Sequence, residues 1–241
     1  MKLGELVRLQ LTTTDVSLSL LFYERLGFKR FDEPLANSHC ILLSDGIIVL
    51  SLCQATDGAE RHPTLTYFSP KINEQITLLT QLGVAVSVAA DAQAHFTSPE
   101  GMPVRLVSRN TAAMYRPEGV ARSGCGRFYE LSFETESLRR SIAYWRHIGF
   151  EVESNESAQA TFATLYDGVL RLGVYQRGTC PHKFKNPSLT YFEPDMSERI
   201  KQLKVNGVKT LEELPDQHSK IENAIIESPE GQYFFLFHYD W

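Results

Sequence analysis

The chain spells most of its distinctive phrases twice. SPEG stands at Ser98–Gly101 and again at Ser228–Gly231; LTYF stands at Leu65–Phe68 and at Leu189–Phe192, introduced by Pro63 and Pro187. DGIIVLSLCQ from Asp45 matches DGVLRLGVYQ from Asp167, and SLSLLFYERLGF from Ser17 matches RRSIAYWRHIGF when Ser19 is laid on Ser141. These matches keep their order along the chain, so the sequence is a duplication. No other feature restricts the fold as tightly, because whatever one half forms the other must be able to form as well. A chain of 241 residues holds one large domain or two of roughly 120 residues, and the repeat selects two.

Each half divides again. Amphipathic helix patterns end at Gly27-Phe28, Gly83-Val84, Gly149-Phe150 and Gly207-Val208, where glycine permits the left-handed residue that closes a helix. The apolar stripes are Val16, Leu20, Tyr23; Ile72, Ile76, Leu79; Leu138, Ile142, Trp145; and Met196, Ile200, Leu203, all at helical spacing. An acid–glycine turn follows each stop, at Asp45-Gly46, Glu100-Gly101, Asp167-Gly168 and Glu230-Gly231, and an apolar strand follows each turn. A strand also precedes each helix: LVRLQL, TLTYF, FYELSF and SLTYF. Every quarter therefore reads strand–helix–three strands. The expectation is an α+β fold of four βαβββ units, at 5–54, 63–109, 127–177 and 187–240, in two domains, 1–112 and 127–241. The stretch 113–126, with its proline, glycines and small residues, reads as the linker between them.

Composition narrows the function classes. Forty-three per cent hydrophobic and 22 per cent charged residues describe a globular protein. A formal charge of -5 supplies no basic field, so nucleic acid is not an expected partner. No apolar run reaches the roughly 18 residues of a membrane span, so no membrane partner is expected. Cys40, Cys53, Cys125 and Cys180 form no CxxC pair and read as reduced thiols in a cytoplasmic protein.

Two βαβββ units per domain and two domains per chain, with a helix such as DVSLSLLFYERLGF and SPEG before a closing strand, resemble the vicinal oxygen chelate superfamily. That superfamily includes glyoxalase I, the bleomycin-resistance proteins and the extradiol dioxygenases. The resemblance implies sheets that curl around a cleft for a small molecule. It also implies functional side chains on the first strand of each unit and on the strand after each acid–glycine turn. Those positions fall on Arg8, Thr64, Glu130 and Ser188, and on Ser51, Arg105, Gly173 and Phe235. Glu130 alone among the eight is a good metal ligand. The expectation is thus no cofactor, with a divalent metal as the alternative.

Strand alternation then sorts the cleft faces. The first cleft shows Arg8, Gln10, Ser51, Thr64 and Arg105, a set suited to an anion unless loop acids such as Asp32 or Glu33 neutralise the arginines. The second shows Glu130, Glu134, Arg171, Tyr175, Ser188 and Phe235, suited to a planar or cationic organic molecule. The bland alternative there is a Glu134–Arg171 pair with phenylalanines filling the cleft. Glu130 is the candidate catalytic group; it and Glu134, two nearby carboxylates partly screened by Phe235, are expected to push at least one pKa upward. Three functions remain open: a metal-independent binder of a small organic molecule; a lyase or dioxygenase with displaced metal ligands or acid–base chemistry through Glu130; and an interaction protein with collapsed clefts. The expected partner is a small-molecule ligand, to a monomer or homodimer.

Overall fold

The computed structural model describes residues 2–33, 40–55, 62–89, 93–114, 122–154 and 159–239. The centre of the expected linker, 115–121, lies outside them.

The first half contains β1 (Leu6–Thr13), α1 (Val16–Arg25), β2 (Lys29–Phe31), β3 (Cys40–Ser44) and β4 (Val49–Gln54), then β5 (Thr64–Ser69), α2 (Ile72–Gln81), β6 (Ser87–Val88), β7 (Ala94–Thr97) and β8 (Pro103–Ser108). The second half repeats the order with β9 (Arg127–Thr135), α3 (Leu138–His147), β10 (Glu151–Ser154), β11 (Phe162–Tyr166) and β12 (Arg171–Gln176), then β13 (Ser188–Glu193), α4 (Met196–Val205), β14 (Thr210–Pro215), β15 (Ile221–Glu227) and β16 (Tyr233–His238). All four βαβββ units are present, and each half forms one open eight-stranded mixed sheet. The orders are β2-β3-β4-β1-β5-β8-β7-β6 and β10-β11-β12-β9-β13-β16-β15-β14. Units pair within the chain: β1 runs antiparallel to β5 and β9 to β13, while each closing strand lies parallel to its unit's first strand.

Local chemistry explains the helices. Asp15 Oδ1 accepts from Leu18 N–H at 2.9 Å and so caps α1. Gly27 at φ +90° and Gly149 at φ +108° end α1 and α3 in the left-handed region, the stop expected at all four sites. The stripe residues Tyr23, Leu79, Trp145 and Met196 are fully buried. They cover one face of each sheet, whose inward side chains include Leu9, Leu11, Leu131 and Phe133. The helix-free face, set by strand alternation, is left for the polar residues.

The duplicated phrases turn out to join the halves. Glu230, from the second SPEG, accepts hydrogen bonds from Tyr23 and from Ser19 (2.8 Å) on α1. Glu100, from the first, accepts from Ser141 and from Trp145 Nε1 (3.2 Å) on α3. Tyr191, from the second LTYF, donates to Asp45 of the first acid–glycine turn at 2.7 Å. In the mirror position Tyr67 faces Asp167, each perturbing the other, with Tyr67 Oη and Asp167 Oδ2 lacking a close hydrogen bond. The rings of Tyr23, Phe28, Tyr191 and Phe234 pack together across this junction, so one hydrophobic core spans both halves.

One expectation about thiols is corrected. Cys40 and Cys53 are directly opposite in the β3–β4 pair and form a disulfide, with Cα atoms 4.0 Å apart. The proximity comes from the hairpin register, which a spacing of 13 residues does not reveal. Cys125, buried, and Cys180, half-buried, are free.

Candidate functional site

On the helix-free face of the first half, Arg8 lies opposite Thr66 on β5, and Thr66 opposite Arg105 on β8. The two arginines thus share one row across the sheet. Gln10, Ser51 and Thr64 form the adjacent row. Arg8 is buried and pairs with Glu33, which also meets Arg109 at 2.8 Å, while both guanidiniums lie over the Phe68 ring. A loop acid therefore neutralises Arg8, the alternative the sequence left open. Burial pulls the Arg8 pKa down and the Glu33 hydrogen bond opposes that pull. Arg105 donates to Gln10 and, at 3.1 Å, to Thr66. Ser51 lies beside Cys53 with 3.8 Å between Oγ and Sγ, and the Thr64 hydroxyl donates to the His62 carbonyl at 3.4 Å. Ligand contact by these residues was an expectation; their visible partners are within the fold.

The corresponding face of the second half has a different chemistry at its centre. Glu130 is 1 % exposed. Its Oε1 accepts from Tyr175 Oη at 2.7 Å and from Ser132 Oγ at 3.1 Å, and its Oε2 accepts from Thr164 at 3.4 Å. Ser132 also shares a 2.6 Å hydrogen bond with Thr190 across β9–β13. Gly173 makes the arrangement possible: a Cβ there would stand 1.9 Å from Glu130 Oε1. The missing side chain on β12 is the space the carboxyl occupies. Burial raises the Glu130 pKa to about 7, the hydroxyl donors and Arg171 pulling in the opposite sense. Desolvation is the dominant cause of that upward shift.

Glu134 and Arg171 do not form the pair that the sequence offered as the bland alternative. Arg171 binds Glu153 through Nε at 2.6 Å and Nη2 at 3.2 Å, with its guanidinium over Tyr166 and Tyr129. Glu134 instead accepts from Gly178 N–H at 3.2 Å, and its main chain exchanges two hydrogen bonds with the Asn186 side chain, at 2.8 and 2.7 Å. Ser188 Oγ donates to the Lys185 carbonyl at 2.6 Å. Phe235 is buried beneath His182 and Phe184, its ring 4.8 and 5.0 Å from theirs. Tyr175 stacks on Phe162 and meets Phe184 at 5.8 Å. Sequence reasoning missed Thr164, His182, Phe184 and Asn186. Thr164 reaches the site only through β11–β12 pairing, and the other three sit in a segment without periodicity. Two open spaces, of about 330 and 390 Å³, lie where the halves meet; Tyr129, Tyr166 and Arg171 border the first, His95 and Tyr144 the second.

No protein-family model matches the sequence, and no curated protein does either. Solved structures do. Over 97 % of this chain and 71 % of the other, the structure superposes with TM-score 0.64 and 15 % identity on a variant of homoprotocatechuate 2,3-dioxygenase from Brevibacterium fuscum in complex with HPCA. A catechol 2,3-dioxygenase gives TM-score 0.60 at 15 % identity, covering 99 % of this chain and 89 % of that one. The halotolerant catechol dioxygenase BphC gives 0.59 at 12 %, covering 99 % and 87 %. The fold is that of the extradiol dioxygenases. These are members of the vicinal oxygen chelate superfamily, the resemblance drawn from the repeats.

The comparison overturns the expectation of no cofactor, since these neighbours are metal-dependent (iron) enzymes. The residues around Glu130 do not fit such an ion. They provide one carboxylate and neutral hydroxyls, Gly173 and Phe235 provide no donor at the equivalent strand positions, and the carboxylate itself fills the space above Gly173. No helix among the described residues is long and apolar enough to cross a membrane.

Proposed function

We propose that this dioxygenase-like chain binds a small organic molecule on the helix-free face of its second half, and that Glu130 exchanges a proton with it. The observation behind this reading is the buried Glu130 carboxyl, held by Tyr175, Ser132 and Thr164 over the gap left by Gly173. A carboxyl that titrates near pH 7 suits a general acid or base at neutral pH. The aromatic rings of Tyr175, Phe184 and Phe235 around a few converging polar groups make a composition typical of ligand sites. Tyr175 and Ser132 orient the carboxyl; burial keeps water from it. Ring cleavage of the kind performed by the structural neighbours has the fold likeness behind it but no donor set at Glu130.

A thermal-shift panel of single-ring organic acids, amines and phenols between pH 6 and 8, followed by calorimetry of the compounds that stabilise, tests the reading. Glu130→Gln is expected to weaken the binding of those compounds by about tenfold or more and to remove the pH dependence of their affinity. Compounds bound equally by both proteins, with the same pH profile, would remove Glu130 from the function.

A further inference from the structure

The face that holds Glu130 is roofed by its own chain. Between β12 and β13, residues 177–187 form no helix or strand. The segment nevertheless lays two rings on the helix-free face: Phe184 against Tyr175 and Phe235, and His182 against Phe235 and Phe237. Phe184 remains half-buried although it sits over a nearly sealed floor of Glu130 and Phe235.

Three of the hydrogen bonds that hold the roof down come from one residue. Glu134 fixes the start of the segment through its carboxylate and Gly178 N–H, and the end through its main chain and the Asn186 amide. The two ends differ in kind. At Asn186 two hydrogen bonds continue the β9–β13 pairing past Ser188, whereas Gly178 contributes a single bond at the surface, with positive φ. Midway, Lys183 N–H donates to Glu212 at 3.0 Å, and Lys185 lies 3.8 Å from Glu227 with its ammonium over Tyr233, all contacts open to solvent. A cover built this way has a firm hinge at Asn186 and a weak catch at Gly178.

We propose that residues 178–186 are a hinged cover over Glu130, that Phe184 occupies the position of a ligand's planar ring, and that Glu134 is the catch. The proposal rests on the reading of Glu130 as the ligand-binding group. It assigns Glu134 a positioning role in access, in place of the ligand contact expected from its strand face. A ring-bearing molecule entering between Tyr175 and Phe235 replaces the contacts of Phe184 one for one, so that opening loses little apolar burial.

Cys180 lies inside the cover, half-buried, whereas Cys125 is fully buried and Cys40 and Cys53 are bonded to each other. Its alkylation by iodoacetamide therefore reports opening. Burial first, and then the Glu134 charge, push the Cys180 thiol up to about 11, so charge and catch must be separated. Glu134→Gln removes the charge but keeps an acceptor for Gly178; Glu134→Ala removes both. Glu134→Ala is expected to label at least about threefold faster than Glu134→Gln, and Phe184→Ala at least about threefold faster than wild type; phenol is expected to raise the wild-type rate toward that of Phe184→Ala. Equal rates in all the variants overturn the hinged cover. A wild-type rate unaltered by phenol overturns the role of Phe184 as a ring's stand-in. Neither failure touches the Glu130 reading, which stands or falls on the binding of the compound panel to Glu130→Gln.

Discussion

Glu130 and Gly173 form a unit that neither makes alone. The carboxyl lies where a β12 side chain would project, so Gly173→Ala places a methyl 1.9 Å from an oxygen. The carboxyl must then leave its three hydroxyl partners or the strands must separate. A cost of about 1–3 kcal/mol is expected for Gly173→Ala, the usual range for overpacking. Truncating the partner frees the space, so Gly173→Ala combined with Glu130→Ala should cost less than the sum of the two single changes. Denaturant unfolding of the four proteins in this cycle measures the coupling, and additive values would show that the two residues do not compete for one volume. Of this unit, the sequence displayed the carboxylate and the absence of a ligand at position 173. That one fills the space left by the other depends on the lean of a side chain across two paired strands, which periodicity cannot report.

At the scale of elements, the fold was legible because the repeat tests each assignment twice. The stripe in α1 recurs in α3, Gly27 recurs as Gly149, and each acid–glycine turn precedes an apolar strand in both halves. What stayed hidden lies between elements. Cys40 and Cys53 meet only through hairpin register, and the roof over Glu130 has no period at all. The links between the halves, by contrast, are written in the repeated phrases themselves, and they are not equally tight. Tyr191 donates to Asp45 at 2.7 Å in a buried site, whereas Tyr67 and Asp167 make no close bond. Tyr191→Phe is therefore expected to destabilise the protein by about 1–3 kcal/mol, the penalty for stranding a buried polar partner. Tyr67→Phe should cost clearly less. Equal losses in paired denaturation curves would contradict this asymmetry.

Over the whole molecule, two copies of one architecture carry opposite chemistry at matching positions. Arg8, neutralised by Glu33, stands in the first half where Glu130, wrapped in hydroxyls, stands in the second. Function is proposed for the second half, where the carboxyl at the centre of the site is positioned to exchange a proton. Glu130 titrates at about 7 in the folded chain against an ordinary value of 4.5, so between those values the folded state binds more protons than the unfolded state. Its contribution is complete below pH 4.5 and is lost as the pH rises through 7, by about 3 kcal/mol in all. Other buried acids with raised pKa values, Asp45 and Asp167, act alike in wild type and in Glu130→Gln, so the difference between the two proteins isolates Glu130. The most direct test is therefore the unfolding free energy of both proteins, measured by denaturant from pH 4.5 to 8. The account predicts that the stability of wild type relative to Glu130→Gln falls by about 3 kcal/mol across that interval and levels off above pH 7.5. A difference that stays constant, or that grows with pH, would mean that Glu130 is an ordinary ionised carboxylate and would contradict the account.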